Sequence, residues 1–133
     1  MTSGTETPFP ITLFSFGYKY GSPQDVNLLV DVRFLNNPFH DKKLRSFTGL
    51  KTSISEFVLN NESGQGCLQH LYRTVKFLGE QLKQNNKEEF RIGIGCTGGH
   101  HRSVAVVEAL AKLIGSDFET VIHFHRDIKN ESH

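Results

Sequence analysis

Gly95-Cys96-Thr97-Gly98-Gly99-His100-His101-Arg102-Ser103 brings together, within nine consecutive residues, the groups an anion site needs. Gly98 and Gly99 let the backbone curl tightly and approach a ligand with no Cβ in the way. Thr97 and Ser103 bring hydroxyls, His100 and His101 bring ring nitrogens, and Arg102 brings a planar fork of donors matched to two oxygens of one anion. The segment lies between the apolar run Arg91-Ile92-Gly93-Ile94 and a stretch in which Val104, Val107, Ala111 and Ile114 recur at helical spacing. A loop that opens a helix directs free N–H groups into its curl, beside the positive end of the helix dipole. The expected occupant is a phosphate-sized anion, held by residues from Thr97 to Ser103.

The same residues carry a second chemistry. Cys96 and Arg102 are separated by five residues and Ser103 follows, which is the spacing of cysteine-dependent phosphatases. There the loop cradles phosphate and a thiolate attacks it. Here Gly95 stands where that motif has His, and no general-acid loop is evident beyond Asp31 or Asp41. Cys96 therefore reads first as a small buried apolar residue, with catalysis by Cys96 and Arg102 as the alternative. A zinc site combining His100, His101, His123 and His125 with Cys96 or Asp31 fits no familiar spacing, and neighbouring histidines point apart. No metal and no cofactor are expected.

The elements that position this loop alternate in type. Ile11 to Phe16 reads as a strand closed by Gly17, and Leu28 to Phe34 as a second strand buried on both faces. Gly21-Ser22-Pro23 is able to open a very short helix, while 36–51 has no clear period. Helices are expected over 54–59, over about 66–84, and from the glycine loop to about Ile114, where Gly115 suits a left-handed C-terminal cap. Strands are expected at 91–95 and 120–125. The pattern predicts one three-layer α/β domain over 11–133 with a mostly parallel four-stranded sheet, after a disordered lead-in at 1–10. Ligands of such sheets sit beyond the carboxyl ends of the strands, so 17–21, 31–41, 96–102 and 125–127 should meet.

Bulk properties narrow the function classes. In 133 residues there are 15 Lys and Arg against 14 Asp and Glu, a formal charge of +1, which argues against coating nucleic acid by overall charge. Two cysteines, Cys67 and Cys96, are too few for a disulfide scaffold. No apolar run approaches the roughly 20 residues that span a bilayer, and the polar start lacks a signal-peptide core, so a cytoplasmic domain is expected. Locally the balance differs. Arg33, Lys42, Lys43, Arg45 and Lys51 face only Asp31 and Asp41 between 31 and 51. That run is either a solvated loop or the rim of an RNA or phosphate patch, with Phe39 and Phe47 beside it. Asp31 and Arg33 share a strand face, as an ion pair or as a reader of ligand hydroxyls.

Five segments quoted together go further. They are Ser15-Phe16-Gly17-Tyr18-Lys19-Tyr20-Gly21; Asp31-Val32-Arg33-Phe34-Leu35 with Asn37-Pro38; Leu44-Arg45 with Thr48-Gly49; Ile94 to Gly99 running into His101-Arg102-Ser103-Val104; and His125-Arg126-Asp127. This set resembles the C-terminal domain of the RapZ (YvcJ) family of RNase adapter and nucleotide-binding proteins. The resemblance implies a phosphate or phosphosugar pocket around the glycine loop. In one branch of that family it also implies a small regulatory RNA and an amino-sugar phosphate as ligands, and presentation of the RNA to a ribonuclease.

This sequence departs from the pattern in three places. It has no Gly-x-x-x-x-Gly-Lys-[Ser/Thr] of the family's NTPase domain, so a stand-alone domain with any NTPase partner acting in trans is expected. Phe39 stands where the family has His, with His40 one position later, and the basic tail is reduced to Lys129-Asn130-Glu131-Ser132-His133. The expected function is a regulatory module capturing a phosphosugar or nucleotide at Cys96 to Ser103. Asp31, Arg33 and His40 would read the rest of the ligand. RNA, as the partner of an adapter, would meet Lys42, Lys43, Arg45, Lys51, Arg126 and Lys129. Oligomeric state is left open.

Overall fold

The computed structural model describes residues 8–130. Four strands, β1 (Ile11–Gly17), β2 (Leu28–Asp31), β3 (Phe90–Cys96) and β4 (Val121–His125), form one sheet in the order β2-β3-β1-β4, with every pairing parallel. Three helices join them: α1 (Thr52–Leu59) and α2 (Glu62–Gln84) between β2 and β3, and α3 (Arg102–Ile114) between β3 and β4. The α/β class and the parallel four-stranded sheet agree with the sequence reading. Among the described residues no helix is long and apolar enough to cross a membrane.

Strand alternation assigns the two faces. Ile11 and Leu13 of β1, with Ile92, Ile94 and Cys96 of β3, join the core cluster that contains α3 residues Val106, Val107, Leu110 and Ile114. Ile54 and Val58 of α1 and Val75 of α2 complete that cluster without exposed surface. Each such side chain contributes about 1.5–3 kcal/mol of apolar burial. On the opposite face, among the described residues, the Tyr18 ring lies against Gly95 and Pro23 of the chain leading to β2 lies against Gly93. Aromatic rings fill that face: Phe14 stacks on Phe124 at 5.0 Å and Phe16 meets Tyr18 edge-on at 4.9 Å. Gly95 makes room, since a Cβ there would lie 2.4 Å from the Phe16 ring.

Several boundaries differ from expectation. β2 ends at Asp31 instead of Phe34, and as an edge strand it is half-covered and not buried on both faces. Its last bond to the sheet is Val32 N–H to the Gly95 carbonyl, 2.9 Å, one residue short of the end of β3. α2 starts at Glu62, where the Asn61 side chain accepts the Gly64 N–H at 2.8 Å. Gly115 keeps right-handed helical angles (φ −63°) instead of a left-handed cap. The short helix falls on Tyr18–Tyr20, and Gly21 (φ 99°) ends it. Phe9 is buried and the Pro10 carbonyl accepts the Phe90 N–H, so both belong to the fold and not to a lead-in. Residues 1–7 of that lead-in and the tail 131–133 lie outside the described residues.

Candidate functional site

Parallel register brings the ends of β1, β2 and β3 together, with Gly17 opposite Cys96 and Asp31 opposite Gly95. The glycine loop leaves β3 there and is clamped from three sides. Behind it lies Gly17: a Cβ on Gly17 would come 2.5 Å from the Gly98 carbonyl carbon, and one on Gly99 (φ 78°) 2.7 Å from the Gly17 nitrogen. The Gly17 N–H donates to the carboxylate of Asp127 at 2.8 Å, and Arg126 donates to the same carboxylate. Beside the loop, Gly49 N–H donates to the His100 carbonyl at 2.8 Å, and His101 Nε2 lies 3.0 Å from the Arg45 carbonyl. A carbonyl only accepts, so that ring nitrogen carries the proton. Across the opening, the Lys19 N–H donates to the Thr97 carbonyl at 3.2 Å.

These clamps enclose a pocket of about 180 Å³. Of the expected residues, Thr97, Gly98, His100, His101 and Arg102 line it, with Cys96. Arg102 is 6 % exposed. Its Nη1 donates to the Arg33 and Leu35 carbonyls, while Nε is buried with no hydrogen-bond partner. No carboxylate forms an ion pair with it among the described residues. Burial pulls its pKa below the ordinary guanidinium value, the Cys96 and Asp31 charges work against that, and Arg33 adds to it. A desolvated cation beside a cavity, short of its counter-ion, is the electrostatic signature of an anion site.

Other expected residues sit differently. Ser103 turns away from the pocket: its hydroxyl lies 3.1 Å from Cys96 Sγ, and its N–H donates to the same sulfur at 3.4 Å. It therefore does not offer its hydroxyl to a ligand. Asp31 and Arg33 form a bidentate pair, with Nε at 3.0 Å and Nη2 at 2.7 Å, over the Tyr18 ring. Hydrogen bonds from Arg33 hold the Asp31 carboxyl below its usual range. Both side chains are nearly half exposed and neither lines the pocket, so the ion-pair reading describes them, and Arg33 meets the site through its carbonyl. His40 is exposed and outside the lining. Phe39 lines it instead, in the 3-10 turn Pro38–His40, where the Asn37 side chain accepts the Phe39 N–H.

The basic residues divide into separate groups. Lys42 and Lys43 are exposed, Arg45 lies over Phe39, and Lys51 lies over Phe47. Arg126 serves the Asp127 carboxylate and the Gly21 carbonyl, and Lys129 is exposed. His123 and His125 share Glu108 of α3 at 3.1 and 2.7 Å, and His125 Nδ1 meets the Ser15 hydroxyl at 2.7 Å. They do not join His100 and His101 in the pocket lining.

Sequence reasoning missed Lys19, Asn37 and Asp127 as individual residues and placed Phe39 only beside the basic run, although each lies in a segment expected at the carboxyl edge. Asp127 is 4 % exposed and is the loop's rear support. Asp127→Ala strands the buried Gly17 N–H and leaves Arg126 with the Gly21 carbonyl and solvent, and is expected to cost about 2–3 kcal/mol. Asp127→Asn, whose amide oxygen still accepts the Gly17 N–H, should recover more than half of that in a thermal unfolding series. Equal losses would assign the effect to the charge and not to the hydrogen bond.

The comparisons with known proteins cover almost the whole chain. The family model for the RapZ C-terminal domain matches residues 9–129. A nucleotide-binding protein of Gloeobacter violaceus is 38 % identical over 128 residues, 96 % of this chain and 43 % of the relative. One from Heliobacterium modesticaldum is 42 % identical over 122 residues, 91 % of this chain and 40 % of the relative. One from Dictyoglomus thermophilum is 36 % identical over 129 residues, 97 % and 44 % respectively. The chain thus spans about two-fifths of the length of the curated relatives it matches.

Proposed function

The chain belongs to the RapZ C-terminal domain family, and from that premise we propose that it is a regulatory binding module for a phosphorylated small molecule, a phosphosugar or a nucleotide. The observation that carries this reading is Arg102: buried, without a carboxylate partner among the described residues, and with Nε unpartnered beside the glycine loop. Thr97, Gly98, His100, His101 and Arg102 would hold the phosphate, with Gly99, outside the lining, shaping the loop against Gly17. The relatives' names, nucleotide-binding protein, support including nucleotides among the ligands. Thermal unfolding against a panel of phosphosugars, nucleotides and inorganic phosphate tests it. A ligand at about 100 times its Kd adds roughly 2.7 kcal/mol of stability. A shift lost in Arg102→Ala supports the module; no shift with any compound sinks it.

An adapter role with RNA, and through it a ribonuclease or NTPase partner, rests on Lys42, Lys43, Arg45 and Lys51 next to Phe39 and Phe47. Affinity for a short RNA should then fall steeply with added salt, about one decade per decade of salt for each phosphate neutralised. A flat salt dependence argues against it.

One observation favours a second reading, a cysteine-dependent phosphatase. Ser103 directs both its N–H and its hydroxyl at Cys96 Sγ, contacts that would hold a thiolate beside Arg102. Against it, Asp31 is engaged by Arg33, the Asp41 carboxylate accepts the Lys43 N–H, and neither lines the pocket as a general acid. Cys96→Ser separates the readings. A binding module keeps its affinity within about threefold, the small cost of a sulfur-to-oxygen exchange, whereas a phosphatase loses turnover of p-nitrophenyl phosphate altogether.

A further inference from the structure

Resting on the phosphate reading above, we propose that Asn37 binds the ligand directly, its side-chain Nδ2 donating a hydrogen bond to a phosphate oxygen. Asn37 lines the pocket from the chain that follows β2, outside the glycine loop. Its amide has an acceptor end and a donor end. The Phe39 N–H donates to Oδ1 at 3.1 Å, and an N–H cannot donate to an amide nitrogen that carries two hydrogens of its own. That bond decides which end of the amide is spent on the turn and leaves Nδ2 as the free end. Asn37 is half-buried, and among the described residues Nδ2 has no hydrogen-bond partner. The pocket lining holds no Asp or Glu that could answer it, so its acceptor is to come from the ligand.

The donor is held in place before a ligand arrives. Val32 N–H donates to the Gly95 carbonyl at 2.9 Å and Leu35 N–H to the Val32 carbonyl at 3.2 Å, and both side chains are buried. Arg102 Nη1 donates to the Arg33 and Leu35 carbonyls, so the guanidinium that meets the anion also braces the chain carrying Asn37 two residues on. Pro38 is buried next to it, and its ring fixes the backbone angle there. Pro38 has no N–H either, which makes the Phe39 N–H the first that the Asn37 oxygen can accept. A side chain fixed in this way loses little freedom on binding. What it asks of the ligand is an acceptor oxygen, and every non-bridging oxygen of a phosphate group is one.

Calorimetric titration of the wild type and two variants with inorganic phosphate, glucose 6-phosphate and adenosine 5′-monophosphate tests this. Asn37→Ser keeps an oxygen within reach of the Phe39 N–H but ends short of the pocket, and all three compounds should bind about tenfold more weakly. Asn37→Asp also keeps that acceptor and turns the donor into an anion, so a weakening of about 30-fold or more is expected. Both variants retain the turn, and without ligand they should unfold within about 3 °C of the wild type. A purely structural role would lower Tm in step with affinity and would overturn the inference.

Wild-type affinity in Asn37→Ser overturns it too, even with Asn37→Asp weakened, since the carboxylate would then act by charge at a distance. A loss confined to the two esters overturns it by placing the donor on the sugar or the base and not on the phosphate. In each of these cases phosphate binding stands, as its loss in Arg102→Ala would verify in the same series. If none of the three compounds binds the wild-type protein, the phosphate reading and this inference fall together.

Discussion

Arg102→Ala is expected to weaken any phosphate ester bound at the glycine loop by about 100-fold or more. Two charge-assisted hydrogen bonds at about 1.5 kcal/mol each amount to about 3 kcal/mol, or two decades in Kd. In the unliganded protein this guanidinium is already desolvated, and its own contacts are the Arg33 and Leu35 carbonyls. Binding an anion supplies the charge that folding left out. The free protein should respond far less, because two effects of opposite sign meet there. Removing the guanidinium relieves a buried, uncompensated cation, and it also strips two carbonyls of their donor. Arg102→Lys keeps the charge but not the planar fork, and about tenfold weakening is expected of it. Calorimetric titration alongside thermal unfolding of the unliganded variants checks all three statements. Unchanged affinity in a folded Arg102→Ala protein would remove the pocket from the account.

What could be read from the sequence was what is decided locally. Ile92, Ile94 and the helical spacing of Val104, Val107, Ala111 and Ile114 flank two glycines and an arginine within a short stretch, so strand, loop and helix were all visible at once. The parallel sheet followed from the alternation of elements. The misses came from partners distant in sequence. Asp127 supports Gly17 across 110 positions, and nothing near Asp127 in sequence announces a glycine N–H as its partner. The end of β2 is hidden because Val32 and Phe34 continue the strand pattern, while β3 ends at Cys96 and the last sheet hydrogen bond on this side is Val32 N–H to the Gly95 carbonyl. The position of Ser103 suggests a ligand contact, but its N–H donates to the Cys96 sulfur and its hydroxyl lies 3.1 Å from the same atom. Phe39 rather than His40 faces the pocket because the Asn37 side chain caps the 3-10 turn and fixes its orientation.

Gly17→Ala adds one methyl group and is expected to cost about 3 kcal/mol or more, at the upper end of overpacking. The angles of Gly17 suit any residue (φ −106°, ψ 128°), so close approach and not backbone freedom requires glycine here. Its added Cβ would lie 2.5 Å from the Gly98 carbonyl carbon, 2.6 Å from that oxygen and 2.9 Å from the Gly99 nitrogen. All three are backbone atoms, so no rotamer change relieves the clash. Gly17 cannot withdraw either, since Asp127 holds its N–H and β3 and β4 flank its strand. The loop must move, and the phosphate ligands move with it. Stability and affinity should therefore fall together, with a Tm loss of about 10 °C at roughly 3–5 °C per kcal/mol for a domain of this size. Gly21→Ala is the control. Its φ of 99° strains an alanine by about 1–2 kcal/mol, but nothing lies within 4 Å of the added Cβ. That variant should lose a few degrees and keep its affinity. If Gly17→Ala behaved like Gly21→Ala, the contact between the end of β1 and the loop would not be what positions the anion site.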